Sequence, residues 1–324
     1  MNHCWDIYAK QLMSLGFGHP LWRPEPCLQF GEIRLGDVGY LREGRFRFLF
    51  NCMHTAEDPV NAPRGVPSDF EVFSPPDPML TQDLNEITQT ELHSKSLQSL
   101  SIAATASAGG TSASASLGLR YQCGEESGAL LMLKHPGHKT SLDCGMYIRR
   151  YMRTHLASWC DFANGHLGIG LQEQDLIFVS GFVKTSVWAT AAFHNSCSSA
   201  ELLVAGGCFV PSASGEFRVS MSKGTNGSVF SRTGPPARLS APQSGFAAAN
   251  DFDQCVFLQY YKAKRRKWRL PAVMRAAAGH HVLEYGPDED DEQGYPLASA
   301  GSSTTSSDEG INSFHPVSIQ ITVT

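Results

Sequence analysis

The alternation of apolar and polar positions is most regular over residues 97–121, which read LQSLSIAATASAGGTSASASLGLRY. Apolar residues fall at every second position on both sides of Gly109-Gly110, and serine or threonine fills most of the places between. A period of two is the period of a β-strand, and a Gly-Gly pair supplies the positive φ angles of a two-residue hairpin turn. The pattern therefore predicts a β-hairpin with a weakly apolar face and a hydroxyl-rich face.

A two-residue turn also predicts the register of this hairpin. The apolar residues that would then pair on one face are Leu100 with Leu119, Ile102 with Leu117, Ala104 with Ala115 and Ala106 with Ala113. Alternation of this length resembles a membrane-crossing β-hairpin, and a one-residue slip would destroy the match. A half-buried hairpin in a soluble sheet and a disordered Ser/Ala linker are the two alternatives.

Periodicity elsewhere predicts a strand-rich chain. Helical spacing indicates a short helix over 4–15 and the main, amphipathic helix over 142–163. Strands are predicted at 31–41, 45–51, 129–135, 174–193, 201–210 and 216–222, in the first part of 253–269, and at 315–324. Because helices and strands do not alternate, we expect a single α+β domain. Its core would be a twisted, mainly antiparallel sheet with one long amphipathic helix and short helices.

Composition shifts divide the chain into four stretches. Residues 1–54 would form the N-terminal helix and hairpin of the main domain, and 55–95 a Pro-rich acidic loop. Residues 96–270 would complete the α+β domain. The remaining 271–324 reads as an acidic, Ser-rich tail that closes on an edge strand.

The cysteines and the N-terminus favour a cytoplasmic protein, and the basic cluster described below would recruit it to membranes. The nine cysteines are scattered, odd in number and never in a CxxC pair, which is typical of reduced thiols. The N-terminus lacks the basic and apolar regions of a signal peptide, and no apolar run is long enough for a spanning helix.

Local catalytic signatures are absent from the sequence. It contains no GxSxG, Walker, GxGxxG, HExxH or CxxC motif, so we assign no catalytic residue, metal site or cofactor and expect a non-enzymatic protein. An enzyme whose site is dispersed along the chain is the less favoured alternative.

The strongest charge feature is a basic cluster near the end of the predicted domain, formed by Lys262, Lys264, Arg265, Arg266, Lys267, Trp268 and Arg269. Three interpretations compete: a nucleic-acid or nuclear-localisation patch, an anionic lipid site, and an intramolecular contact with the acidic run at 288–292. The net charge of −5 makes a nucleic-acid partner unfavourable. We take the cluster as the candidate membrane-binding site, and the intramolecular contact with 288–292 stays open as its alternative.

Four segments carry a resemblance to an uncharacterised family of basidiomycete fungal proteins: PLWRPEP (20–26), GDVGYL (36–41), HLASWCDFA (155–163) and LIFVSGFVKTSVWATAAF (176–193). The resemblance covers roughly residues 10–270 and implies an intracellular fungal protein, with no activity attached to it.

The order of elements resembles a second family, the pore-forming domains of gasdermin-like proteins. The helix at 4–15, the strands at 31–51, the hairpin at 97–121 and the strands at 174–222 follow that order. The resemblance implies a cell-death effector that binds acidic lipid through 262–269, inserts the 97–121 hairpin and oligomerises into a β-barrel. The alternative is a soluble module that binds a protein partner.

Overall fold

The computed structural model describes residues 3–77, 79–106, 115–194, 201–205, 218–221, 228–235, 252–264 and 320–323. Within them every strand pairing is antiparallel, and two α-helices accompany the sheets, so the fold is α+β. The prediction of one sheet is wrong, because the strands form an eight-stranded sheet and two four-stranded sheets.

Both helices lie within the ranges that the apolar spacing predicts. Helix α1 spans Cys4–Leu12, and a 3₁₀ turn extends it to Leu15. Gly16 follows with a φ of 92°, a left-handed conformation that glycine adopts freely at helix ends. Helix α2 spans Gly145–Asp161 and buries one side against the eight-stranded sheet.

The strands of the described residues are β1 (His19–Pro20), β2 (Asp37–Arg42), β3 (Arg45–Asn51), β4 (Leu80–Ile87), β5 (Glu91–His93), β6 (Leu97–Ala106), β7 (Ala115–Cys123), β8 (Gly128–Leu133), β9 (Gly137–Leu142), β10 (Leu176–Thr185), β11 (Trp188–His194), β12 (Glu201–Ala205), β13 (Arg218–Met221), β14 (Ser228–Gly234), β15 (Gln254–Lys264) and β16 (Gln320–Val323).

The eight-stranded sheet, here called the main sheet, follows the order β1-β15-β10-β2-β3, with β16 beside β15 and with β9 and β4 beside β10. Strand β16 pairs with the end of β15, where the sequence predicts a closing edge strand. The β2–β3 turn has positive φ at Glu43 (54°) and Gly44 (70°), as a two-residue hairpin turn of type I′ requires.

The two four-stranded sheets are built from consecutive strands of the chain and are together called the ribbon. The proximal sheet has the order β14-β11-β8-β5, and the distal sheet has the order β13-β12-β7-β6. Each strand of the proximal sheet is therefore consecutive in the chain with the strand at the same position in the distal sheet: β5 with β6, β8 with β7, β11 with β12 and β14 with β13. The ribbon consists of a first hairpin, from β5 to β8, and a second hairpin, from β11 to β14.

Two of the apolar cores lie against the helices. One lies between α2 and the main sheet and includes Phe50, Trp159 and Phe178. The other lies where α1 packs on β8 and β11, and it contains Tyr8 and Leu131. The proximal sheet is thus covered by α1 on one face, which leaves its other face for the distal sheet.

Two sequence predictions need local correction. Phe46, Phe48 and Phe50 were predicted on one face, yet Phe50 lies in the α2 core while the other two lie in the core on the opposite face. A β-bulge next to Leu49 causes this, because one extra residue reverses the alternation. The predicted loop 55–95 also contains β4 and β5, although 55–77 has no helix or strand.

Candidate functional site

A buried apolar cluster joins the two sheets of the ribbon. Leu130, Met132, Ala189, Ala191 and Phe193 come from the proximal sheet, and Leu97, Tyr121, Cys123 and Leu202 come from the distal sheet. Tyr121 pairs with Ser99, which a straight strand would hold about 26 Å from Glu91. Tyr121 nevertheless contacts Glu91, so the ribbon bends and the first residues of the distal sheet pack on the proximal sheet.

The contact between Tyr121 and Glu91 is polar. Tyr121 is fully buried, and its hydroxyl donates a short hydrogen bond to Oε2 of Glu91. The ring of His93 lies beside it, with the centroids 5.8 Å apart. Burial, followed by the hydrogen bond and charge of Glu91, raises the pKa of Tyr121 well above its usual range. The phenol therefore stays protonated and remains a donor.

The bend in the first hairpin is made by two buried serines. Ser94 Oγ accepts the backbone N–H of Ala129 at 3.0 Å and lies 2.6 Å from Ser96 Oγ. The carbonyl of Ser96 accepts the N–H of Gly124 at 2.7 Å. These bonds satisfy backbone groups that the interrupted ladder would otherwise leave unpaired. The corresponding residues of the second hairpin, 195–200 and 222–227, lie outside the described part of the chain.

The predicted hairpin at 97–121 is present, but its register differs by two residues. Ala106 pairs with Ala115, Ala104 with Leu117 and Ile102 with Leu119. Two residues are one strand period, so the same residues still share a face. The predicted Leu100–Leu119 pair is wrong, because a bulge between Ser99 and Ser101 leaves Leu100 without a partner in the register. Gly109, Gly110 and Ala113 lie outside the described residues.

The backbone register of the distal sheet separates apolar from polar rows. One row crosses all four strands as Ile102, Leu119, Val204 and Val219. The next row, on the opposite face, crosses them as Ser101, Arg120, Leu203 and Ser220. The polar face is interrupted by Leu203 and by the following row, which contains Ala103, Gly118, Ala205 and Arg218. With these exceptions, the alternation predicted for one hairpin extends over the four strands of the distal sheet.

The second hairpin is a candidate functional element whose place in the fold was not predicted from the sequence. Strands were predicted at 201–210 and 216–222, and β12 and β13 occupy part of each range. What could not be inferred is that β12 pairs with β7 and β11 with β8, which places both hairpins in one ribbon. The alternation of Leu202, Val204, Val219 and Met221 was the available signal.

An ion-pair cluster attaches the outer strand of the second hairpin to the body. Oε1 of Glu25 accepts from Nη2 of Arg232, on β14, at 2.8 Å, and from Nη2 of Arg45, on β3, in a shorter bond. The side chain of Glu25 is only 10% exposed. Its carboxylate therefore links β14 to the main sheet in a partly desolvated setting, where ion pairs depend strongly on having both partners.

The basic cluster at 262–269 is described only at its start. Lys262 is half-buried on β15, and β15 ends at Lys264. Arg265, Arg266, Lys267, Trp268 and Arg269 lie outside the described residues. Lys262 pairs with Ile177 near the start of β10, whereas the end of β10 at Thr185 leads into β11 of the ribbon. The main sheet therefore separates Lys262 from the bend.

Other chemistry is sparse in the part of the chain that the structure describes. It contains no group of three or more His, Cys, Asp or Glu residues that could hold a metal ion. No helix of that part has both the length and the apolar character needed to cross a membrane.

The comparisons with known proteins return no relative for this chain. No protein-family model, curated protein or solved structure matches it. The two resemblances drawn from the sequence therefore stay predictions.

Proposed function

We propose that this chain is a membrane-binding, pore-forming effector that inserts both hairpins of the ribbon when the bend opens. The observation that carries the proposal is the folded ribbon itself. Its distal sheet alternates apolar and polar rows, and its first residues, Leu97, Tyr121 and Leu202, are buried against the proximal sheet. Opening the bend would expose that apolar face, which lipid would then cover.

The lengths of β6 and β7 suit a membrane crossing, while β12 and β13 are described over five and four residues. A transmembrane β-strand needs about 9–11 residues, and β6 has ten residues while β7 has nine. The apolar rows would face lipid and the hydroxyl-rich rows the lumen, which is the alternation of a membrane barrel. In this proposal α2 is the predicted long amphipathic helix, and it remains in the body.

Self-association follows from the strand order. Within the described residues the outer strands β6 and β13 each pair on one side only. Neighbouring strands alternate in direction, so β6 of one copy would pair antiparallel with β13 of the next, with four strands per copy. Lipid cannot satisfy free strand edges, so the ring of copies must close into a barrel.

Recruitment and insertion would use different ends of the body. The basic cluster begins at Lys262, at the end of the main sheet that lies away from the bend. Each Lys or Arg near an anionic surface contributes about 1 kcal/mol, which suits a first contact with acidic lipid. Release of the ribbon would follow, at a loss of roughly 1.5–3 kcal/mol for each large apolar side chain uncovered.

Dye leakage from phosphatidylcholine vesicles containing phosphatidylserine or cardiolipin tests the proposal. Ala104→Asp puts a charge in an apolar row, and Thr105→Asp puts the same charge in a polar row of the same strand. We expect Ala104→Asp to lower the leakage rate at least tenfold, about 1.4 kcal/mol, and Thr105→Asp to leave it nearly unchanged.

A second matched pair tests the second hairpin. Val204 lies in the apolar row of β12, and Ala205 lies on the opposite face, in the row of Gly118 and Arg218. Val204→Asp should lower the leakage rate at least tenfold, as Ala104→Asp does, while Ala205→Asp should leave it nearly unchanged. Equal leakage by all four variants, or none by the natural chain, would overturn the proposal.

A further inference from the structure

The main sheet has a notch at the end that lies away from the ribbon. Strand β10 begins at Leu176, which pairs with Tyr40 of β2, while Ile177 pairs with Lys262 of β15. Both neighbours continue beyond that point, β2 to Arg42 and β15 to Lys264. Between these two strand ends lies a cleft of about 300 Å³, which is also lined by residues that precede β10.

The two long walls of the notch each contribute a cation. Arg42 is exposed at the end of β2, with its guanidinium 5.2 Å from the centroid of the Tyr40 ring. Lys262 is half-buried at the end of β15, beside Tyr260 in the lining. Within the described residues neither cation has a carboxylate within ion-pair distance.

Besides burial, the positive charge of Lys262 contributes to a lowered pKa of His19. Burial, with a smaller contribution from the charge of Lys262, lowers the pKa of His19 to about 4. His19 lies against the ring of Tyr260, 6.0 Å between centroids.

One carboxylate, that of Asp175, also lines the notch. Its Oδ2 accepts the backbone N–H of Gln172 at 2.9 Å, which closes the turn that leads into β10. Part of its charge is thus engaged by its own backbone, and the described lining retains one surplus positive charge from Arg42 and Lys262.

We propose that this notch binds a phosphate group, carried either by a lipid headgroup or by a free phosphorylated small molecule. A guanidinium matches phosphate oxygens in a planar fork, and an ammonium adds a mobile point charge. The volume is at the lower end of the range for small-ligand sites. Opening of the ribbon is not required, so the site can exist whether or not the protein forms pores.

The test uses the full chain and two probes. Glycerol 3-phosphate is titrated while the melting temperature is followed, and binding to phosphatidylcholine vesicles with and without phosphatidic acid is measured by flotation. The variants are Arg42→Gln and Lys262→Gln. The control is Arg47→Gln, because Arg47 pairs with Glu43 at 3.8 Å outside the notch and its loss changes the net charge equally.

We expect each notch variant to weaken binding about tenfold and Arg47→Gln to change it less than twofold. Loss of glycerol 3-phosphate binding would identify a free phosphorylated ligand, and loss confined to vesicles a lipid headgroup. Equal loss in all three variants would show general charge attraction and overturn the proposal. Absence of binding by the natural chain to both probes at millimolar concentration would also overturn it.

Discussion

The hydroxyl of Tyr121 donates a buried hydrogen bond to the carboxylate of Glu91, although these residues belong to different sheets of the ribbon. The bond can form only while the ribbon is bent. It therefore reports directly on the closed state, and its removal should favour opening.

The first prediction concerns this bond. Tyr121→Phe keeps the ring but removes the donor, so Glu91 loses its partner and the closed ribbon should be destabilised by about 1–3 kcal/mol. Amide hydrogen exchange over 97–106 should become faster by one to two orders of magnitude. Tyr147→Phe is the control, because Tyr147 is exposed on α2. Unchanged exchange in Tyr121→Phe would mean that this bond does not hold the bend.

The second prediction concerns the bend itself. Ser94→Ala removes the acceptor of the buried Ala129 N–H and the partner of Ser96. A buried donor left unsatisfied costs about 1–3 kcal/mol, so the chemical-denaturation midpoint should fall. Ser14→Ala is the control, because Ser14 is exposed in the 3₁₀ turn that follows α1. A midpoint equal to that of the natural chain would show that the bend needs no side-chain acceptor.

The third prediction concerns the link between β14 and the body. Glu25→Gln weakens the carboxylate that accepts from both Arg45 and Arg232, so unfolding free energy should fall by roughly 2–3 kcal/mol and exchange over 228–234 should increase. Glu43→Gln is the matched control, because Glu43 is half exposed in its pair with Arg47. Such surface pairs contribute less than about 1 kcal/mol. Equal effects of the two variants would contradict a special role for Glu25.

The fourth prediction is a dependence of stability on pH that arises from Asp37. Asp37 is buried, and its oxygens accept from the Arg34 N–H and from Asn51 Nδ2. Burial raises the pKa of Asp37 to about 7 despite these bonds. Because the pKa of Asp37 is higher in the folded than in the unfolded state, the stability that protonated Asp37 contributes is present near pH 4. This contribution is lost as the pH rises to about 7.

His19 acts with the opposite sign in the same interval. Its pKa of about 4 is below the unfolded value, so its contribution is present above about pH 6.5 and is lost as the pH falls to 4. The two groups therefore oppose each other in the natural chain. Asp37→Asn should leave a stability that rises with pH between 4 and 6.5, and His19→Gln one that falls.

Urea unfolding at several pH values measures both slopes. Each slope should amount to a few kcal/mol over the interval. Parallel pH profiles for the natural chain and both variants would exclude this pair as the source of the dependence.

The extent of successful sequence prediction follows from the range of each interaction. The hairpin at 97–121, the β2–β3 turn and the two helices depend on neighbours within a few residues, and alternation or helical spacing records those neighbours directly. The bulges at Leu49 and Leu100 were not predicted, because a single extra residue does not change the composition of a strand. It nevertheless reverses which face of the sheet each following side chain occupies.

For the candidate sites, Lys262 was recognisable as a basic residue, but its position opposite Arg42 was not. The two residues belong to strands that are far apart in the chain. The notch exists only because β2 and β15 both continue past the first residue of β10. The ion pair of Glu25 with Arg232 could not be predicted either, because it forms only where β14 lies near the main sheet.

By itself, the sequence determined that 97–121 is a two-faced hairpin, because alternation at period two survives any shift by a whole period. For the same reason it could not determine the register, since a shift of two residues satisfies the pattern equally well. The tertiary structure decided the register, the pairing with the second hairpin and the bend that places Tyr121 on Glu91. Those choices depend on packing between residues far apart in the chain, in a cluster that no single segment could form alone.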